Sequence, residues 1–593
     1  MRWILNSLLF LLFRSSHQDN NSTVAVCDPS NSNNSYIYCN GPILKAVNDM
    51  GLYNDSKTFV DMPMLQDPAM VLSAFSSVFG NNSNSNNMSK VRLQTFIDQY
   101  FSAPGSELVV CTPSDWKPNP PKLATIQDPK LRDWALQLNN IWKDLCRQVN
   151  TTILDHSSRY SLLYVPHPFI VPGGRFREFY YWDAYWIIKG LIACDMYDST
   201  KNMIRNLASV IDRYGFVPNG GRVYYLQRSQ PPFLSGMVYE LFEATGDVAF
   251  VVEMLPTLVK ELNFWDANRR IDIVINGTTH QIYQYKTPSN VPRPESYSVD
   301  TKNAASMTPA AQAQFWQDIA SSAESGWDFS TRWFADKKTL TQIETTKILP
   351  VDLNAVVCWN LDILEYLYER AGDQATANIY RSRRAVFRDS FYQVFYNETQ
   401  GTWFDYNLRT KLHNTEFYPS IAVPLFTNCF NTLNTGKSER LFGYMKTHGV
   451  FDYPSGIPTS MIKGSGEQWD FPNGWSPSNH MIIEGLRKNA NPEMQDQGFQ
   501  LASKWVLGNY RVFQETGHMW EKYNVTGTYP QPGSGGEYNV QNGFGWTNGA
   551  ILDLLVTYND RLAVSPPEGS SAASKLVIPT AIIALVSILA RCI

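Results

Sequence analysis

Two stretches share one device, and it limits the fold more than any other feature of the chain. "GMVYELFEATGDVAFVVEMLPTLVKELNFW" (Gly236–Trp265) carries apolar residues at helical spacing on both sides of Thr245-Gly246-Asp247. "LNAVVCWNLDILEYLYERAGDQATANIYRSRRAVFRDSF" (Leu353–Phe391) does the same around Ala371-Gly372-Asp373. In each, Gly can take the left-handed position that ends one helix, and Asp can cap the start of the next. A turn this short makes the two arms an αα-hairpin. "NHMIIEGLRKN" (Asn479–Asn489), "MQDQGFQLASKWVLGNYRVF" (Met494–Phe513) and "TNGAILDLLVTY" (Thr547–Tyr558) are further helical stretches. Between them lie long loops rich in Gly, Pro, Trp and Asn. Hairpins closed into a ring with loops gathered at one end give an all-α toroid. No linker splits residues 19–565, so they are expected to form one domain. Long loops inside a compact domain usually carry function, so the chemistry is expected there.

Composition narrows what those loops can bind. Of 593 residues, 17 are Trp, 31 Tyr and 31 Phe, which is either core filling or a surface that stacks on something flat, such as a sugar ring. The net charge of −4 offers no basic field for nucleic acid. The cysteines show no Cys-x-x-Cys and no metal-ligand spacing, so no metal site and no cofactor are expected. Cys27 and Cys39 are close enough in sequence to pair around a short loop.

Both ends resemble targeting segments. Met1-Arg2 precedes the apolar run Trp3–Phe13, so residues 1–18 are expected to be a signal peptide. The uncharged stretch Leu576–Ala590, with small residues at Gly569–Ser574 before it, resembles a glycolipid (GPI) attachment signal. Residues 566–593 are therefore expected to be that signal, with a short membrane anchor as the alternative. Sequons begin at Asn20, Asn21, Asn33, Asn54, Asn81, Asn87, Asn150, Asn276, Asn397 and Asn524. Together these lead to the expectation of a glycoprotein on the extracellular face of the plasma membrane.

Six loops carry the chemistry. "ESGWDFSTRW" (Glu324–Trp333) sets Asp328 between two aromatic rings. Such a carboxyl is either a helix cap or buried acid, or a proton donor whose affinity for the proton is raised. "PGGRFREFYYWDAYW" (Pro172–Trp186) brings Arg175, Trp182 and Asp183, and "NGGRVYYLQRSQPPF" (Asn219–Phe233) brings Arg228, Ser229 and Gln230. "RPESYSVD" (Arg293–Asp300), "GEQWDFPNGWSP" (Gly466–Pro477) and "HMWEKYNVTGTYPQPGSGGEYNVQNGFGWTNG" (His518–Gly549) complete the set. Amides, carboxylates and Arg forks bind hydroxyl pairs, and Trp faces bind the C–H side of a ring. The inventory suits a neutral polyhydroxyl ligand.

"PGGRFREFYYWDAY" (Pro172–Tyr185) matches P-G-G-R-F-x-E-x-Y-x-W-D-x-Y at every fixed position, and "QWDFPNGWSP" (Gln468–Pro477) matches Q-W-D-x-P-x-G-W-x-P. On these motifs the chain resembles the trehalase family from about residue 40 to 560. The resemblance implies an (α/α)6 toroid that hydrolyses α,α-trehalose to two glucoses with inversion. It implies Asp328 as general acid and Glu521 as general base. It also implies a substrate site lined by Arg175, Trp182, Asp183, Asn219, Arg228, Ser229, Gln230, Arg293, Pro294, Glu295, Gly326 and Glu537. From the residues alone, Glu537 on the Gly-rich loop competes with Glu521 for the role of base; the family pattern makes it a sugar-binding lid residue. Two other functions stay open at this point: an inverting α-glucosidase acting on another disaccharide, and a surface protein that binds sugar without cleaving it.

Overall fold

Residues 23–80, 88–430, 435–528 and 530–564 are described by a computed structural model. The expected signal peptide, the C-terminal segment and the sequons at Asn20, Asn21, Asn81 and Asn87 lie outside the described residues.

Twelve helices build the body. They are α1 (Pro129–Leu145), α2 (Asp183–Ala193), α3 (Tyr197–Tyr214), α4 (Leu234–Thr245), α5 (Val248–Asn268) and α6 (Val351–Arg370). The second half is α7 (Gln374–Phe395), α8 (Val423–Thr427), α9 (Gly436–Thr447), α10 (Ser476–Arg487), α11 (Pro492–Thr516) and α12 (Gly545–Thr557). The even-numbered helices pack in order around a ring that closes where α12 meets α2. The odd-numbered helices flank them, so the expected (α/α)6 toroid is the observed fold. Burial follows: every residue of α10 from Ser476 to Leu486 is buried, whereas α3 and α7 bury one face only.

The two kinds of connection fix the ends of the ring. Inner-to-outer turns are short, and the two Gly-Asp turns form as the sequence predicts. Gly246 has φ 66° and Asp247 accepts the Phe250 N–H at 3.0 Å. Gly372 has φ 85° and Asp373 accepts the Thr376 N–H at 3.0 Å. Outer-to-inner connections run through residues 146–182, 215–233, 269–350, 396–422, 448–475 and 517–544. Because each hairpin is antiparallel, all six of these long connections gather at the N-terminal ends of the inner helices.

Away from that end, charges inside the ring are paired. Lys189 on α2 meets Glu240 on α4 at 2.9 Å and Asp553 on α12 at 3.1 Å. His480 on α10 meets Asp553 at 2.7 Å. Buried charges persist only when paired in this way. Burial opposes ionisation of Asp553, but Lys189 and His480 outweigh it and hold the carboxyl below its ordinary range.

The segment before α1 forms a second, smaller core that packs on Tyr180, Tyr224 and Tyr225 of the long connections. A buried network ties the two parts together. Lys57 pairs with Asp61 and with Glu178, each at 2.7 Å, and Arg222 pairs with Glu107 at 2.6 Å and Glu178 at 3.1 Å. Cys27 and Cys39 are bonded, as their spacing suggested; Cys111–Cys146 and Cys358–Cys429 are also bonded, and Cys194 is a buried free thiol.

Candidate active site

The long connections line a pocket at the mouth of the ring. Asp328 and Glu521 both line it, although they are nearly two hundred residues apart in sequence.

Asp328 follows the outlying helix Pro309–Glu324 and is half-buried between Trp327 and Phe329, which are themselves buried. Gln468 donates its side-chain amide to the Asp328 backbone carbonyl and so fixes the main chain there. Burial pushes the Asp328 carboxyl up to about 7; Arg293 pulls it back and Glu537 pushes it further. Arg332, its neighbour in the same stretch, turns the other way. It forms forks with Asp352 (2.6 and 2.8 Å) and with Asp405 (2.7 and 2.9 Å), and so pins the loop rather than neutralising Asp328.

Glu521 precedes the strand Lys522–Asn524, which pairs with the strand Asn473–Trp475 of the second motif. Its N–H donates to the Gln541 carbonyl at 2.9 Å. Tyr538 donates its hydroxyl to Oε1 at 2.8 Å, and buried Oε2 has no hydrogen-bond partner in the protein. Burial raises the carboxyl's pKa, opposed by Lys522, by the Tyr538 hydroxyl and by Arg175. Asp183, the first residue of α2, also lines the pocket, and its pKa lies well above the ordinary carboxylate value through burial and the nearby Glu521 and Asp328.

Most of the other expected site residues converge on this pocket. Trp182, Asn219, Arg228, Gln230, Arg293, Glu295, Gly326 and Glu537 line it. Asn219 accepts from Arg228 Nε at 2.8 Å, and Arg228 also pairs with Glu295, whose Oε2 has no partner in the protein. Gln230 accepts the Trp182 N–H at 3.0 Å. Gly326 has φ 77°, and a Cβ there would lie 2.6 Å from the Trp182 indole. Glu537 is held by Arg293 at 2.7 Å and by Ser296 at 3.2 Å, which engages the rival base with the opposite wall.

Three expected residues stand differently. Ser229 and Pro294 are buried behind the wall; the Ser229 hydroxyl donates to the Val217 carbonyl at 2.6 Å and its N–H to Glu324 at 2.9 Å. Arg175 does line the pocket, yet Nε and Nη2 are committed to Asp55 at 2.8 and 2.7 Å. Most of the aromatic wall lies outside the residues expected from the sequence: Phe176, Tyr180, Tyr225, Trp469, Trp475, Tyr538, Phe544 and Trp546. Trp469 and Trp475 stack at 3.9 Å with 2° between their planes, and Trp327 stacks on Trp469 at 5.1 Å. All but Tyr225 lie in the two signature motifs or in the Gly-rich loop and its flank, and that clustering was the available signal.

The likenesses of the chain agree with this geometry. A family model described as Trehalase matches residues 51–559. The trehalase of Oryctolagus cuniculus is 43% identical over 532 residues, which is 89% of this chain and 91% of that protein. The trehalase of Homo sapiens is 43% identical over 531 residues, 89% and 90% of the two chains, and that of Dictyostelium discoideum 40% over 543 residues, 89% and 91%. Among solved structures, the neutral trehalase of Saccharomyces cerevisiae aligns with a TM-score of 0.54 at 22% identity, covering 66% of this chain and 73% of that one, and so shares the fold. The two signature motifs, the pocket they wall and these relatives lead to one assignment: the chain belongs to the trehalase family.

Proposed function

We propose that the chain hydrolyses α,α-trehalose to two glucose molecules by single displacement, with Asp328 as general acid and Glu521 as general base. Asp328 gives its proton to the glycosidic oxygen as the C1–O bond lengthens. Glu521 Oε2 takes a proton from a water that attacks C1 from the opposite face. The products are two glucoses, with Asp328 ionised and Glu521 protonated; proton exchange with solvent resets both. This chemistry expects carboxyls roughly 6.5–9.5 Å apart, enough to admit the water. Arg228, Asn219, Glu295, Gln230 and Asp183 are the hydroxyl partners in this reading, and the Trp469–Trp475 stack supplies an apolar face. The single observation that carries it is the pair of carboxyls with different surroundings in one pocket: Asp328 is shifted up to about 7, and Glu521 is anchored through one oxygen with the other unpartnered. An acid must hold its proton near neutral pH, and an ordinary Asp does not. Glucose release should be measured on trehalose and on maltose beside a buffer blank. Release from trehalose well above that from maltose is expected. Equal rates would make the chain a general α-glucosidase, and no release from either would make it a binding protein.

We also propose that the protein is exported and held outside the cell by a glycolipid. Three disulfides and the exposed sequon residues Asn33, Asn54 and Asn276 support this reading. No described helix is long and apolar enough to cross a membrane. Treating intact cells with a phosphatidylinositol-specific phospholipase should free active enzyme into the medium. Activity that stays on the cells, with the last residues still detectable by antibody in the mature protein, would mean a membrane span instead.

A further inference from the structure

We infer that Tyr538 is a positioning residue that holds Glu521 Oε1 so that Oε2 faces the attacking water, and that Asp55 holds Tyr538 in place through Arg175. The inference rests on Glu521 being the base. A carboxylate turning freely about its last bond offers either oxygen in any direction. Here the Tyr538 hydroxyl takes one oxygen at 2.8 Å and leaves the other without a partner in the protein. The main chain of Glu521 is fixed as well: its N–H donates to Gln541 at 2.9 Å and its carbonyl accepts from the Trp546 indole at 3.1 Å. The carboxyl plane is then set by one donor, and correct placement of a reacting group is worth orders of magnitude in rate. Burial and the Glu521 charge raise the Tyr538 pKa well above the ordinary tyrosine value, so its hydroxyl keeps its proton and stays a donor.

Tyr538 itself needs support, because it follows Gly533, Gly535 and Gly536 on a backbone with little stiffness of its own. The support comes from Arg175, whose guanidinium lies 4.6 Å from the Tyr538 ring centre, while Phe176 meets the ring edge-on at 5.5 Å. Arg175 also donates its N–H to the Gln541 side chain at 2.8 Å. Its fork is held by both oxygens of Asp55, at 2.8 and 2.7 Å. Two parallel bonds fix the plane of a guanidinium, which one bond does not. Asp55 is in turn fixed by the Lys57 N–H at 2.9 Å. It lies outside the catalytic pocket, on the neighbouring cleft, and belongs to the segment before α1. The second core therefore reaches the base through three contacts: Asp55 to Arg175, Arg175 to Tyr538, and Tyr538 to Glu521.

The test is steady-state kinetics on trehalose across pH, with melting curves for each variant. Lys522, Tyr538, Arg175 and Asp183 are the titratable and charged groups that face Glu521. Tyr538→Phe should lower kcat roughly 10- to 100-fold with KM little changed, the range that a hydrogen bond to a charged group supports. Losing that donor disfavours the ionised base, so the acid limb of kcat/KM should move to higher pH. Asp55→Asn should lower kcat by about three- to tenfold, and Asp55→Glu should restore most of it. The double variant should be within about twofold of Tyr538→Phe alone, since both act through one contact. Wild-type kcat and acid limb in Tyr538→Phe, or losses that multiply in the double variant, would overturn the inference. If Tyr538→Phe fails to fold, a normally melting Asp55→Asn with unchanged kcat overturns it, and a loss rescued by Asp55→Glu supports it. Glu521→Gln run in parallel separates the two levels: if it keeps activity, the base assignment falls and the inference with it, whereas an inactive Glu521→Gln beside a Tyr538→Phe with wild-type kinetics overturns the positioning role alone.

Discussion

Both ends of the ring bury ion pairs, but the mouth also buries three carboxyls that have none. Towards the end with short turns, carboxylates meet basic side chains: Asp553 meets Lys189 and His480, Glu240 meets Lys189, and Glu484 meets Arg487 at 2.7 Å. At the mouth, Asp183, Asp328 and Glu521 share a pocket and none makes an ion pair among the described residues. The Asp553 pKa falls below the ordinary range, while those of Asp183 and Asp328 rise above it. Pairing offsets the cost of burying charge inside the ring. Burying a carboxyl without an ion pair raises its pKa, and in Asp328 brings it to about 7. Asp553 and Glu240, which are paired, lie within the inner helices, whereas Asp328 and Glu521 lie on the long connections and Asp183 at the N-terminus of an inner helix.

The largest effect expected is loss of turnover at the mouth. Asp328→Asn and Glu521→Gln keep shape but cannot exchange the proton, and each should lower kcat by about 10²–10⁴-fold or more while a substrate analogue still binds. Either variant keeping more than about a tenth of wild-type kcat would strip that residue of its role. At the other end Asp553→Ala should act on stability instead. Losing Asp553 takes one of two carboxylates from Lys189 and the partner of His480, and should cost up to about 3–5 kcal/mol, read as a lower Tm with kcat preserved in the folded fraction. A loss of kcat without a loss of Tm would erase the contrast.

The comparison sharpens with pH. Asp328 has a raised folded pKa, so the folded state holds its proton more tightly than the unfolded chain does. Its ionisation therefore destabilises the fold progressively as pH rises from about 4 to about 7. Asp328→Asn cannot ionise and should melt higher than wild type at pH 8, by at most about 4 kcal/mol, with the gap closing near pH 4. The same titration should end activity: kcat/KM for trehalose should fall as pH rises through about 7, because the acid is then unprotonated. Equal melting of the two proteins at pH 8 would mean that the site stores no such strain. The smallest effects belong to the caps of the short turns. Asp247→Ala and Asp373→Ala should each cost about 1 kcal/mol and leave kinetics untouched.

What could be seen in the sequence follows the same division. The Gly-Asp turns are local: two residues and their flanking periodicity state a hairpin, and both hairpins form. Asp328 was visible because its ring neighbours are adjacent in the chain. Helix α8 was not, since its five residues are too few to show a period. The Lys189–Asp553 pair joins α2 to α12, and Asp55 reaches Arg175 across 120 positions; no local pattern states contacts of that kind. Ser229 and Pro294 each sit between neighbours that do face the pocket. A loop turns alternate side chains inward and outward, and a motif does not say which.

The central claim is that water attacks opposite the bond that Asp328 helps to break, and the products record it. In α,α-trehalose both anomeric carbons are α. Attack with inversion at one of them leaves one β-glucose and one α-glucose, while retention leaves two α-glucoses. Proton NMR during the first turnovers, before mutarotation, should show α- and β-glucose appearing in equal amounts from the wild-type enzyme. Initial release of α-glucose alone would contradict the account, because Glu521 would then have to act as a nucleophile rather than as the base for a water.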